Sequence, residues 1–381
     1  MFGDWNIRIV ERMTGRKILG IVAEISRGGV TERTLRNWVT NAALADAARM
    51  GRFRLQSRDW VARDLAAKGW PTGEIDTMIA GLSDCPGMVS SLMFGMQGPH
   101  HRYVATVQMA SAIDHLDNQL VALRSADDLP AFVTALLAAP FLEDAHFIHP
   151  EKPDTAEVVR TALADARSWE ALAEPLGVLF LNVSLHLLAT LDLEFCAHFL
   201  PTFAATPVFA ALQPRTHSSL TALDNRIPLR RDLFHYPARR LLELVACMRD
   251  CTTRGAWPRA VPPPKSMAIW LELAGEPALA GNLVRWRRGR GLTLKQFDAV
   301  WDACFSVMAP DSRPAAPIPM LYATALFTEL FVKGKRETGD LCFIVPDGTF
   351  YQRWWDFQHE KLTTGSGQLR FGSEPWMPGL L

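Results

Sequence analysis

The longest apolar run in this chain, residues 176–200, is interrupted by Asn182, His186, Asp192, Glu194 and His198. A membrane span needs about 20 mostly apolar residues with few charges. Two carboxylates and two histidines inside the run argue against lipid as its surroundings. The pattern predicts a helix over 176–199 buried in protein, so the rest of the chain must supply faces that close around it.

Periodicity of three to four residues supplies those faces. It predicts helices over 31–50, 57–69, 101–124, 129–139 and 155–173. After the run it predicts 238–254, 264–274, 277–288, 294–308 and 319–333. Residues 17–27 read as another helix, with Ile18, Leu19, Val22 and Ile25 along one side. Proline- and glycine-rich breaks at 150–153, 257–264 and 310–319 punctuate the pattern. They divide the chain into expected regions 1–149, 150–256 and 257–381. Extended structure is scarce. Residues 5–10 could form a short strand. Residues 341–345, the turn Pro346-Asp347-Gly348 and then Thr349-Phe350-Tyr351 read as a hairpin. The expected class is mainly α, a multi-helical bundle-type body with a small C-terminal β-hairpin.

One junction is specified closely. Pro277 suits a first helical position. Thr293 and Gln296 form a capping box, with Leu292 and Phe297 as its hydrophobic staple. Residues 277–308 therefore read as helix, tight turn, helix.

Hydrophobic residues make up 49% and charged residues 21%, which is a globular rather than a disordered composition. The formal net charge is zero, so any polyanion site must be a local patch. Of six scattered cysteines only Cys247 and Cys251 are close, and no second pair completes a zinc set. Reduced thiols and no metal are expected. The N-terminus lacks the pattern of a signal peptide, so a cytoplasmic protein without membrane contact is expected. No glycine-rich phosphate loop, nucleophile elbow or Walker pattern occurs, and no cofactor is expected. His146 and His149 lie in a Pro-rich acidic stretch that reads as a surface loop. Asp114 and His115 are adjacent on a helix and point apart.

The positive charge is unevenly spent, with 32 Arg against eight Lys. Arg is the cation for bidentate phosphate contacts and for stacking, although GC-rich coding also favours it. Arg285, Arg287, Arg288 and Arg290 surround Trp286 and Gly289 at a predicted helix end. They are candidates to grip a nucleic-acid backbone. The alternative is that they complement the helix dipole and its free carbonyls.

Two resemblances point the same way. The helix at 17–27, the turn Gly28-Gly29-Val30, the cap Thr31 and a second helix over 31–39 with Leu35 and Trp38 resemble the helix-turn-helix DNA-binding motif. That resemblance implies that Arg33, Arg36 and Asn37 face the major groove. The alternative is an αα-corner in a helical core. Arg230 followed by His235 resembles the catalytic signature of the HEPN family, helical ribonucleases and related domains of bacterial defence and toxin systems. It implies that Arg230 holds the scissile phosphate and that His235 moves a proton at the RNA 2′-hydroxyl without a metal. The alternative is a basic helix start made of Arg230, Arg231, Arg239 and Arg240.

The expected function is nucleic-acid binding, DNA or RNA, by a helical subunit of a bacterial mobile-element or defence complex with other protein subunits. A HEPN-like, metal-independent ribonuclease and a protein-interaction scaffold are the alternatives.

Overall fold

The computed structural model of the chain describes residues 11, 17–25, 33, 47–67, 69–95, 104–143, 147, 154–199, 237–255, 258, 261–287, 292–308, 322 and 348–362. Among these residues there are thirteen α-helices and no strand, a mainly α protein. In chain order they are α1 (Ile18–Ile25), α2 (Ala47–Ala67), α3 (Thr72–Asp84), α4 (Met88–Gly95), α5 (Val104–Ser125), α6 (Leu129–Leu137) and α7 (Thr155–Ala164). There follow α8 (Ala173–Phe199), α9 (Pro237–Arg254), α10 (Pro264–Leu273), α11 (Pro277–Arg287), α12 (Leu294–Ser306) and α13 (Gly348–Leu362).

The interrupted apolar run is α8, and every residue from Val178 to Phe195 is buried. The stretch Ala173–Phe195 is long and apolar enough to cross a membrane, yet most of it lies buried inside the protein. Helices α5, α7 and α13 pack against it. Two of its polar residues have partners on α13 that explain their presence in a core. Asn182 Oδ1 accepts from Trp354 Nε1 at 2.9 Å, and His186 Nδ1 lies 2.8 Å from Gln358 Nε2. Both pairs are offset by 172 residues, so α8 and α13 run parallel and meet in matching one-turn steps.

Two buried carboxylates of this region, Glu194 and Asp114, cap helices from outside. Glu194 of α8 accepts from the backbone N–H of Ala105 at 2.8 Å and of Thr106 at 2.9 Å, and from the Thr106 hydroxyl. Those N–H groups belong to the first turn of α5, where no intrahelical acceptor exists. Asp114 of α5 does the same for α4, accepting from Val89 N at 3.0 Å and Ser90 N at 2.7 Å. A carboxylate at a helix N-terminus also complements the macrodipole. Helix α4 thus hangs on α5, and α5 on α8. Gly87 allows the approach, since a Cβ there would lie 2.5 Å from the Asp114 carboxyl carbon.

Helices α9 to α12 pack on one another, with α9 and α10 both touching α11 and α12. The junction read from the sequence is present. Thr293 and Gln296 make both halves of the capping box, and Leu292 is buried beside the start of α12. Phe297, Trp301, Cys304 and Phe305 are buried along that helix. Thr293→Ala should cost about 1 kcal/mol of stability, read as a shift in the urea midpoint at unchanged m-value.

Several elements differ from the sequence expectations. Thr349, Phe350 and Tyr351 were expected as the return strand of the hairpin but lie in α13. Residues 341–345, the other arm, lie outside the described residues. Helix α13 forms because Trp354, Trp355 and Gln358 bury one side of it, and that burial outweighs the β preference of its aromatic residues. The break expected between the segments 31–50 and 57–69 is absent, because 47–67 form one helix through Gly51, α2; apart from Arg33, residues 31–46 lie outside the described residues. The 155–173 segment stops at Ala164 and passes through turns before α8. Of 319–333 only Tyr322 is described, in helical conformation with its hydroxyl donating to Leu292 O at 2.6 Å.

Candidate nucleic-acid interface

Arginine-rich helix ends come together where α11 finishes beside the first turns of α9. Leu283 and Trp286 face the core and orient α11. Trp286 is therefore a packing residue, with 4% of its surface exposed. Arg287, one position on, is only partly exposed and reaches α9. Arg285 lies about 200° round the helix from Arg287, and it is exposed. Among the described residues no carboxylate lies within ion-pair distance of Arg285.

On α9, Glu243 stands one turn after Arg239 and Arg240. Arg239 Nε donates to Glu243 Oε1 at 2.9 Å, and Arg240 Nη1 donates to Oε2. Arg287 Nη2 lies 3.9 Å from Oε1. One carboxylate, 6% exposed, thus serves three guanidinium groups whose exposures are 40% for Arg239, 3% for Arg240 and 27% for Arg287. Burial, then the neighbouring Arg239 charge, pushes Arg287 below the usual guanidinium range, and Glu243 offsets part of that. A shallow notch beside the cluster is bounded by Pro262, Pro263, Met267 and Leu283.

The described residues therefore divide the sequence candidates. Arg285 and Arg287 diverge, one to solvent and one to Glu243. Arg33 is exposed and helical. Helix α1 coincides with the first helix of the helix-turn-helix resemblance and packs on α2. Arg36, Asn37, Arg230, His235, Arg288 and Arg290 lie outside the described residues. In sequence, His235 is two residues before Pro237, which opens α9. Asp114 is buried while His115 is exposed, so the adjacent pair forms no dyad.

The sequence marks Arg239 only as part of a basic helix start, and it does not mark Glu243. Their four-residue spacing was visible, but the third partner, Arg287, is brought in only by the packing of α11 on α9.

Other arginines serve the fold. Arg124 lies over the Trp169 ring at 3.8 Å, while Trp169 Nε1 donates to Asp127 Oδ1 at 2.7 Å. Arg249 lies 5.7 Å from the Trp270 ring centroid. Arg160 donates to the Leu142 carbonyl, and Arg254 pairs with Asp250 at 2.9 Å. Cys247, Cys251 and Cys304 are buried free thiols, and burial pushes Cys251 up to about 11 and Cys304 up to about 12. Such thiols pack as small hydrophobes. Among the described residues no group of three or more His, Cys, Asp or Glu side chains could hold a metal ion. No protein-family model, curated protein or solved structure matches the chain.

Proposed function

We propose that this helical protein binds nucleic acid through phosphate contacts at the meeting of α9 and α11. The observation that carries this reading is the convergence there: among the described residues, Arg239, Arg240 and Arg287 all reach the one carboxylate of Glu243. Two of these guanidinium groups are partly exposed, and Arg285 adds an exposed guanidinium on the solvent side of α11. In a molecule with no net charge, a local surplus of this kind attracts a polyanion without a whole-molecule field. Guanidinium is also the group best matched to paired phosphate oxygens.

The test is binding of labelled duplex DNA and single-stranded RNA over a salt series. Arg285→Ala should weaken binding to either strand form and flatten the log K against log salt slope by about 0.7 to 0.9 for the lost contact. An unchanged slope removes Arg285 from the interface. Co-purification of a protein partner with no affinity for either oligonucleotide favours a scaffold instead.

A metal-independent ribonuclease is the second reading. It is favoured by one specific observation: the segment carrying Arg230 and His235 leads in sequence straight into α9, the helix that holds Arg239 and Glu243. Cleavage of RNA in chelator, lost in His235→Ala while binding persists, would support it.

A further inference from the structure

Among the described residues, three arginines reach the two oxygens of Glu243. Arg240 is buried and holds Oε2, while Arg239 and Arg287 compete for Oε1, at 2.9 Å and 3.9 Å. The longer distance is an ion pair without a hydrogen bond. Arg287 therefore keeps its donors uncommitted to Glu243, and Arg239 engages it through Nε alone, leaving the terminal nitrogens of its fork. A phosphodiester group shares one negative charge over two non-bridging oxygens, as a carboxylate does over its two, so it can take a pair of guanidinium groups in the same way.

We infer that Arg239 and Arg287 form a phosphodiester subsite, and that Glu243 is its internal counter-ion, holding both guanidinium groups in place and competing with the phosphate for them. The inference rests on the nucleic-acid reading above and names residues for it, one of which, Arg239, is new. Glu243 makes the free protein less sticky than three clustered arginines would be. It also keeps their forks oriented, which reduces the ordering cost when phosphate arrives. Occupation of the subsite draws Arg287 away from Glu243 first, since that is the weaker of its contacts. Arg240 stays buried and paired, so Glu243 is never left without a cation.

Three variants test this with the same duplex DNA and single-stranded RNA. Arg239→Ala, at a side chain 40% exposed, should lower the salt slope by about 0.7 to 0.9 while circular dichroism and thermal midpoint stay near wild type. Glu243→Gln should raise affinity about threefold or more at fixed salt, because Arg239 and Arg287 are then released from the anion that competes with phosphate for them. In an Arg239→Ala, Arg287→Ala background that gain should vanish. The inference is overturned if wild type binds but Arg239→Ala keeps the full slope. It is equally overturned if the Glu243→Gln gain survives in the double background, since the effect is then a long-range charge effect. Should Glu243→Gln fail to fold, Glu243→Asp keeps the charge but shortens its reach, and a smaller gain is expected; no gain rejects the counter-ion role. Wild-type protein that binds neither oligonucleotide rejects the broader reading itself, a different result from either of these.

Discussion

Replacing Trp354 by Ala should lower stability by about 3–5 kcal/mol, the range for removing a large buried aromatic side chain. Trp354 has no exposed surface and is the largest fully buried side chain among the described residues. The cost has two parts. A cavity opens between α13 and α8, and the Asn182 Oδ1 acceptor loses the indole N–H that satisfied it. Trp354→Phe isolates the second part, because it retains most of the ring but leaves a buried acceptor without its donor, at about 1–3 kcal/mol. Trp355 supplies the contrast. It is 3% exposed, yet its Nε1 has no hydrogen-bond partner. Trp355→Phe should therefore cost less than Trp354→Phe. Urea unfolding of the three variants measures all of this. Equal losses at both positions would mean that the Asn182 contact contributes nothing.

Stability should also fall as pH rises from about 4.5 to about 7, through Glu194 alone. Burial pushes its carboxyl up to about 7 from an ordinary 4.5, against the pull of the Thr106 and Ala105 donors. In that window the folded protein binds a proton that the unfolded chain releases. The contribution is complete below about 4.5 and is lost by about 7, amounting to about 3 kcal/mol at about 1.4 kcal/mol per pH unit. Other carboxylates titrate too, so the readout is wild type compared with Glu194→Gln at each pH. The difference between them should change across pH 5 to 7.5 in favour of the glutamine variant as pH rises. A constant difference would mean that Glu194 does not titrate there. Glu194→Ala should instead lose about 3 kcal/mol or more at every pH, because three donors at the start of α5 lose their common acceptor.

The sequence made α8 legible because a long apolar run broken by a few polar groups has few solutions other than a buried helix. It made the 277–308 junction legible because caps and staples are local chemistry. Helices α3 and α4 escaped notice for the opposite reason. Gly73, Gly81, Gly87 and Gly95 weaken their helical pattern, and α4 depends on a carboxylate 24 or 25 residues away in sequence. Helix α13 was hidden by its aromatic residues, which favour strands until α8 gives them a surface to bury. The candidate interface was half visible. The run of Arg at 285–290 marked one side of it, while its divergence into Arg285 outward and Arg287 inward depends on Trp286 facing the core. The competition for Glu243 is tertiary, and no spacing in the chain announces it.

The decisive measurement is the equilibrium binding of wild-type protein to short labelled DNA and RNA from low to physiological salt. Contacts from Arg239, Arg285 and Arg287 should give a log K that falls linearly with log salt at a slope of about −2 to −3. Absence of binding at the lowest salt, or an affinity indifferent to salt, would contradict phosphate recognition at the α9–α11 corner.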